Sequence, residues 1–233
     1  MSWSPLNWKH LSRFSHSNYF HSLSLFKMKI SALLSLVPLV AALPGKQAKQ
    51  AKGSDASFGV ISARSASPIH LLPLNAVGSY FYLGGNAQSY CPEGIPGCKQ
   101  TNETVITGGH FLDVMVPGGQ AIFVDPKGAL RFTAPHSAYE PAGSSDGPFT
   151  YTPGNSFGHW SYEGQGASGF MACPTNGTTT YRRSRRDAAA PKWQVYAALQ
   201  NATVPSGSVS DCIGFDALAV AHNSTVPATW EYI

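Results

Sequence analysis

The chain has 233 residues with 16 basic and 12 acidic side chains, and its formal net charge is +4. Four of the basic residues lie in the first 42 positions, where no Asp or Glu occurs, so the rest of the chain carries 12 basic and 12 acidic residues. A domain without net charge is poorly suited to the phosphate backbone of nucleic acids, and we expect no nucleic-acid partner.

The first 42 residues are predicted not to belong to the fold. Met28 and Lys29 precede the apolar run ISALLSLVPLVAA, which ends in small residues. This order is typical of a secretory signal peptide, which we place at 28–42. The run has about 13 residues whereas a membrane-spanning helix needs about 20, so a membrane anchor is the weaker alternative. We interpret residues 1–27 as an extension of the gene model upstream of a true start at Met28; a long n-region is the alternative.

A polar stretch precedes the predicted domain. Residues 43–57, LPGKQAKQAKGSDAS, are rich in Lys and Ala and lack the apolar side chains that would hold them against a core. We therefore expect 43–57 to be a flexible segment. Residues 58–233 remain as one domain, which is long enough to bury a substantial hydrophobic core.

From residue 58 onwards, short alternating runs are bounded by Gly, Pro, Asn or Ser, and none keeps an apolar period of 3.6 over three turns. Two hairpins are predicted. The first spans 121–133 around the turn Asp125-Pro126-Lys127-Gly128, and the second joins 158–162 to 168–172. We predict an all-β single domain of serial hairpins, stabilised by disulfides, that forms a β-barrel, a trefoil-like fold or a sandwich.

Four cysteines follow the predicted signal peptide, and an even number favours disulfides in an oxidising compartment. Of the three possible pairings we favour Cys91 with Cys98, closing the loop CPEGIPGC, and Cys173 with Cys212. The spacings are not C-x2-C pairs and the histidines follow no zinc-finger pattern, so we expect no metal site.

Four N-x-S/T sequons also follow the signal peptide, and none has Pro in the middle position. Together they predict a glycosylated surface, and each one predicts an exposed segment. The acceptor residues are Asn102, Asn176, Asn201 and Asn223.

The β-type pattern is interrupted at 176–191, NGTTTYRRSRRDAAAP. One interpretation is an anion-binding loop, because guanidinium groups bind phosphate, sulfate or carboxylate through paired hydrogen bonds. Another is cleavage by a secretory-pathway protease that reads dibasic pairs. We favour a solvated loop between two strands. The residues concerned are Arg182, Arg183, Arg185 and Arg186.

No catalytic or cofactor motif is present: the sequence lacks G-x-S-x-G, H-E-x-x-H, the phosphate-binding G-x-x-x-x-G-K-[ST] and a dinucleotide G-x-G-x-x-G after a strand. We expect no cofactor and no enzymatic activity. A glycosidase pair would need two carboxylates that the sequence does not single out. The candidates are Asp113, Asp125, Glu163 and Asp216. Five histidines, each more typical of a surface or hydrogen-bonded position than of a site, are His70, His110, His136, His159 and His222.

Aromatic side chains are candidates for an exposed platform that stacks against sugar rings, although core packing is the simpler account of most of them. Trp160 and Trp193 lie inside alternating runs and are predicted to be buried. The full set is Tyr80, Phe81, Tyr82, Trp160, Tyr162, Trp193, Tyr196 and Trp230.

The order of several segments carries a family resemblance. FGVISARSASPIHLLPLNA is followed by SYFYLGG, a Cys-containing turn, QAIFVDPKGALRF, GFMACP, WQVYA and SDCIGFDALAV. In this order the chain resembles the fungal PhiA family of phialide-associated cell-wall proteins, some of which are labelled IgE-binding proteins. The most specific parts are IFVDPKGALRF, the Ala-Cys-Pro at 172–174 and the Asp-Cys at 211–212. The Arg-rich segment and Cys98 depart from the family pattern.

The resemblance implies a secreted fungal cell-wall or extracellular protein that is linked to the development of conidiating cells and has no catalytic residues to carry over. We expect a non-catalytic wall or matrix protein whose partner is a wall polysaccharide or a wall protein. One alternative is a secreted effector or elicitor-like module that binds a host protein or glycan. Another is a small secreted hydrolase with a cleft that holds two carboxylates, or a His and a carboxylate, within hydrogen-bonding reach. The tail TVPATWEYI has no hydrophobic stretch, so we expect no glycolipid anchor.

Overall fold

The computed structural model describes residues 56–175, 193–223 and 225–233. The predicted gene-model extension at 1–27, the signal peptide at 28–42 and the Arg-rich segment at 176–191 lie outside these ranges. So does the polar stretch at 43–57, except for Ala56 and Ser57. The described ranges thus cover most of the predicted domain at 58–233.

The described residues form β-strands and two short 3-10 turns at Gly164–Gly166 and Val209–Asp211, which confirms the prediction of an all-β domain. None of these segments is a helix with the length and apolar character needed to cross a bilayer. The strands in chain order are β1 Ser57–Ala63, β2 Leu74–Val77, β3 Tyr80–Leu83, β4 Ser89–Tyr90, β5 Ile106–Thr107, β6 Phe111–Leu112, β7 Ile122–Val124, β8 Leu130–Phe132, β9 Phe149–Thr152, β10 Gly158–Tyr162, β11 Phe170–Pro174, β12 Trp193–Ala197, β13 Ile213–Ala221 and β14 Glu231–Tyr232.

Twelve strands form one sheet whose hydrogen-bonded neighbours follow the order β6-β5-β1-β13-β11-β12-β3-β8-β7. β10 pairs with β13 and β9, β2 pairs with β3, and β4 and β14 form a separate pair. At the two ends of this path, the described residues of β6 approach β7 through an isolated bridge between Phe111 and Ala121. The sheet is not closed into a barrel. Of the three predicted architectures, a sandwich fits.

Among the described strands, β13 is the longest, and it pairs with three others, β1, β10 and β11. Residues 213–215 pair with β11, residues 216–221 pair with β1, and residues 217–219 also pair with β10. Burial alternates along the strand, because successive side chains of a strand point to opposite faces. Phe215 and Ala217 are buried, whereas Gly214 and Asp216 are exposed. Asp216 therefore lies on the surface where β1, β10 and β11 meet β13.

A cluster of aromatic rings fills the core on the buried side of β13. Trp160 stacks on Phe149 at 5.6 Å between ring centroids and contacts Phe170 at 4.7 Å. Its Nε1 atom donates a hydrogen bond of 2.8 Å to the carbonyl of Gly109, so the polar atom of the buried ring is satisfied. Trp160 is 2% exposed and Trp193 is 5% exposed, which confirms that both are buried.

The predicted hairpin at 121–133 is confirmed. β7 pairs with β8 in antiparallel register, and the turn between them is held by one carboxylate. Oδ1 of Asp125 accepts hydrogen bonds of 2.9 Å from the amides of Lys127 and Ala129. Gly128 takes φ of 87°, and a Cβ atom there would come within 3.0 Å of the Ala202 side chain. The turn thus requires glycine for its backbone angle and for its close packing.

The second predicted hairpin, which joins 158–162 to 168–172, is wrong. β10 and β11 are both antiparallel to β13, with Trp160 opposite Ala217 and Phe170 opposite Phe215. The two strands therefore run in the same direction and follow each other along β13, and the 3-10 turn connects them. The glycine-rich turn suggested a reversal of the chain, but pairing with a strand near the end of the chain decides the direction.

Two disulfides are present, Cys91–Cys98 and Cys173–Cys212, in the pairing that the sequence favoured. The first closes a surface loop between β4 and β5. The second links β11 to the residue that precedes β13, and Cys173 is fully buried beside Met171 and Tyr196. It therefore joins two neighbouring strands that lie far apart in the chain.

Candidate functional site

A surface groove lies at residues 214–217 of β13 and extends over the neighbouring strands. It has two parts of about 580 and 510 Å³, which share Ser168, Phe170, Phe215 and Asp216 among their lining residues and are therefore contiguous. The rings of Phe170 and Phe215, whose centroids lie 6.2 Å apart, belong to the hydrophobic core beneath this surface and are buried. We call this groove the β13 groove. The exposed charged or titratable side chains that line it are Arg64, His159, Glu163 and Asp216.

Strand pairing explains how residues far apart in sequence reach this groove. Asp216 is paired with Ala63 of β1, and Arg64 is the next residue after the end of β1. His159 lies on β10, which pairs with the second half of β13. Glu163 directly follows β10, and its amide donates a hydrogen bond to the carbonyl of Pro148. Pairing with β13 therefore assembles the groove from three separate segments.

The polar side chains of the β13 groove are not engaged by the rest of the domain. Within the described part of the chain, Arg64, His159, Glu163 and Asp216 form no side-chain hydrogen bond or ion pair. The described residues do contain an ion pair outside the groove, between Arg131 and Asp125 at 3.9 Å. The groove thus offers two carboxylate acceptors and the donors of Arg64 to a ligand.

These four side chains suit a polar ligand that carries hydroxyl groups. Carboxylates accept hydrogen bonds from hydroxyl groups, and a guanidinium group donates them. The groove is lined by the carboxylates of Glu163 and Asp216 as well as by Arg64, and the two carboxylates would repel a polyanion. The chemistry fits a neutral, hydroxyl-rich ligand.

Comparison with known proteins places the chain in a family. The sequence profile of the family described as PhiA-like secreted protein matches residues 58–233. The chain belongs to the PhiA-like secreted protein family. It is also 41% identical over 163 residues to an uncharacterized secreted protein of the fungus Arthroderma benhamiae, covering 69% of this chain and 77% of that protein. No solved structure matches the chain significantly.

The family match covers all but the first residue of the strands in this PhiA-like domain. It begins at Phe58, one residue after the start of β1, and ends at the last residue of the chain. It therefore includes β13 and every segment that lines the β13 groove. The family assignment and the similar fungal protein show that the chain is a secreted fungal protein.

The PhiA-like fold brings together two of the four candidate carboxylates. Glu163 and Asp216 line the same groove. Asp125 instead holds the β7–β8 turn through the hydrogen bonds described above. Asp113 lies elsewhere; burial raises its pKa, and the nearby His222 together with hydrogen bonds from Ser57 and Ala228 partly offsets that rise.

The histidines of the domain are dispersed. Nδ1 of His70 accepts a hydrogen bond of 3.2 Å from the Arg64 amide, and Nδ1 of His110 lies 2.9 Å from the Gly108 carbonyl. His136 is exposed in a loop, His159 lines the β13 groove and His222 lines a different groove. Among the residues that the structure describes, no three His, Cys, Asp or Glu side chains are grouped as metal ligands.

The hypothesis of an aromatic platform is not supported by burial. Five of its eight members are buried and three, Tyr80, Tyr82 and Trp230, are half-buried. The guanidinium group of Arg131 lies 4.5 Å from the ring centroid of Tyr80, so that face is already covered. The larger exposed aromatic residues are ones that the sequence did not single out: Tyr90, Phe111, Tyr139 and Phe157.

One acidic pair was missed at the sequence level. Glu140 and Asp146 lie in the loop that connects β8 to β9, and burial together with hydrogen bonding and repulsion from Asp146 raises the pKa of Glu140 to about 7. A turn with a hydrogen bond from the Ser144 amide to the Pro141 carbonyl folds this loop back on itself. No periodicity marks such a pair, because only the loop conformation brings the two carboxyl groups together.

A second groove lies on another part of the PhiA-like domain. It has a volume of about 450 Å³ and continues into a smaller part of about 360 Å³, which shares Glu103, Val105 and His222 with it. We call it the asparagine groove. Its name comes from three lining residues, Asn75, Asn86 and Asn102.

The asparagine groove includes one predicted glycosylation residue, Asn102. Asn102, Asn201 and Asn223 are all exposed, as expected for acceptor residues. Asn176 and the four arginines at 182–186 lie outside the described residues. The hypotheses of anion binding or proteolytic cleavage at that segment therefore remain predictions.

Proposed function

We propose that this secreted fungal protein is a non-catalytic component of the cell wall that binds a neutral wall polysaccharide through the β13 groove. The observation that carries the proposal is that four exposed polar side chains line one groove and that none of them is engaged by a described part of the domain. In keeping with the family resemblance, the proposed role is in the wall of conidiating cells.

The shape and charge of the β13 groove favour a polymer over a small metabolite. Its two contiguous parts meet at residues 214–217 of β13, and an open groove of two adjoining parts has room for more than one sugar unit. Glu163 and Asp216 accept hydrogen bonds from sugar hydroxyls, and Arg64 donates them. Since Arg64 balances part of the negative charge, neutral glucan or chitin chains fit better than charged ones.

The same residues support binding rather than catalysis. A general base is usually oriented by a hydrogen-bonded partner, and a glycosidase positions two carboxyl groups on either side of the scissile bond. Neither Glu163 nor Asp216 has such an orienting partner among the described residues, and none of these residues hydrogen-bonds to His159.

The proposal is tested with the secreted protein and four insoluble materials: isolated fungal wall, chitin, β-glucan and plant wall. We expect retention on fungal wall and on at least one of its polysaccharides, and we expect raised salt to leave this retention intact, because the ligand is neutral. Failure to bind any fungal material would contradict the proposal.

The competing functions give different results in the same experiment. A host-directed binding module would be retained more strongly on plant wall or host tissue than on fungal wall. A hydrolase would release soluble sugars from one of the polysaccharides, and Glu163→Gln and Asp216→Asn would abolish that release. We expect neither preferential binding to host material nor soluble products.

A further inference from the structure

We propose that the asparagine groove is occupied by the protein's own N-glycan, attached at Asn102, and is therefore not available to an external ligand. This inference is independent of the function proposed for the β13 groove. It begins with the position of the acceptor residue, which is exposed and lines the groove itself.

Hydrogen bonds fix the backbone at Asn102, Glu103 and Val105, so the attached sugar leaves the chain in a defined direction. The carbonyl of Asn102 accepts a hydrogen bond of 2.9 Å from the Ala87 amide. The hydroxyl of Tyr232 donates to the carbonyl of Glu103 and accepts from the amide of Val105, both at 3.0 Å. A rigid attachment point keeps the first sugar at the edge of the groove and lowers the entropy lost when it packs there.

The sequon residue Thr104 faces the interior. It is 4% exposed, and its Oγ1 atom accepts a hydrogen bond of 2.8 Å from the Ala76 amide. A buried Thr cannot be read by a glycosylating enzyme, so modification of Asn-Glu-Thr must precede folding of this segment. The domain then folds with the glycan already in place.

The lining of the asparagine groove suits an N-acetylglucosamine unit. Asn86, Glu103 and His222 provide polar groups for its hydroxyls and amide. Pro73 and Val220 provide apolar contact, and Val220 is 38% exposed in the protein without sugar. An N-acetyl group that covers Val220 would remove apolar surface from water.

His222 provides a direct measure of occupancy. It lines both parts of the asparagine groove, whereas His159 lines only the β13 groove. The secreted glycoprotein is treated with diethyl pyrocarbonate, which modifies accessible imidazole groups, and the extent of labelling at each histidine is read by peptide mass spectrometry. The same digest reports whether Asn102 carries a glycan.

We expect Asn102 to be glycosylated, and we expect Asn102→Gln to increase the labelling of His222 several-fold without changing that of His159. Asn201→Gln is the matched control, because Asn201 is exposed but lines neither groove, and it should leave both histidines unchanged. Removal of glycans from the folded wild-type protein by a peptide N-glycosidase should reproduce the effect of Asn102→Gln, which guards against a folding defect of the variant.

Three results would overturn the inference. The first is an unmodified Asn102, and the second is equal labelling of His222 with and without the glycan. The third is an increase at His222 that follows Asn223→Gln instead, because Asn223 adjoins His222 and its glycan would then be the shield.

Discussion

The hydroxyl group of Tyr232, the penultimate residue, donates a hydrogen bond of 3.0 Å to the carbonyl of Glu103. The same oxygen accepts from the amide of Val105, and the Tyr232 side chain is fully buried. Burial also raises the pKa of this hydroxyl, so it remains protonated and able to donate at any physiological pH. The end of the chain is thereby tied to the segment that carries Asn102.

Replacement of Tyr232 by Phe should therefore destabilise the domain. The substitution leaves the Val105 amide and the Glu103 carbonyl without their partner, at an expected cost of about 1–3 kcal/mol in the free energy of unfolding. Urea denaturation measures this difference. Tyr139→Phe is the control, because Tyr139 is 74% exposed and its substitution should change stability little. Equal stability of the two variants would contradict this account of Tyr232.

The β7–β8 turn gives a second prediction. Asp125→Ala removes the acceptor of two backbone amides and should lower the free energy of unfolding by about 1–3 kcal/mol. Asp216→Ala removes an exposed carboxylate without described partners and should change stability by less than about 0.5 kcal/mol. If both variants unfold at the wild-type urea concentration, the carboxylate of Asp125 does not stabilise the turn.

The two disulfides should contribute unequally to stability. The loop between Cys173 and Cys212 spans 39 residues and that between Cys91 and Cys98 spans 7. By the loop-closure relation, removal of the long one costs about 4 kcal/mol and removal of the short one about 2.5 kcal/mol. Paired Cys→Ala variants compare the two by thermal or urea unfolding. The reverse order would mean that native-state effects, not loop closure, govern their contributions.

The Glu140–Asp146 pair predicts a local pH dependence. The pKa of Glu140 is raised from 4.5 to about 7, so the folded chain holds this proton more tightly than the unfolded chain. The associated stability is fully present below pH 4.5 and is lost as the pH rises through 7. Glu140→Gln should abolish this contribution. The stability of the variant relative to wild type should therefore increase as the pH is raised from 4.5 to 7.

Thermal unfolding of wild type and Glu140→Gln across this pH range provides the measurement. Asp146→Asn is the companion variant, since it removes the neighbouring charge and should lower the pKa of Glu140 towards its usual value. If the difference in unfolding temperature between wild type and Glu140→Gln did not vary with pH, the interaction of Glu140 with Asp146 would be contradicted.

Local features of this fold were predictable from the sequence, and features that depend on distant pairing were not. The turn at 125–128 is specified by its own residues, and the alternating pattern around Trp160 and Trp193 indicated their burial. In contrast, the direction of β11 depends on its pairing with β13, which begins at Ile213, far from β11 in the sequence. Period and turn residues carry no information about such a partner.

The β13 groove illustrates the same limit. Glu163 and Asp216 were both candidate carboxylates, but the sequence did not pair them, because only the register of β10 and β1 on β13 brings them to one surface. Arg64 carried no signal, since it follows a strand as an ordinary exposed residue. The acidic pair in the β8–β9 loop was missed for a different reason, because the conformation of the loop and not strand register brings its two carboxyl groups together.

The most direct test of polysaccharide binding by the β13 groove compares three forms of the secreted protein on isolated fungal wall at raised salt. These are wild type, the double variant Glu163→Ala/Asp216→Ala, and the control Glu93→Ala, whose exposed carboxylate lies in the Cys91–Cys98 loop. We predict that wild type and the control are retained equally and that the double variant is largely lost, while all three remain folded. Equal retention of all three proteins would contradict the account.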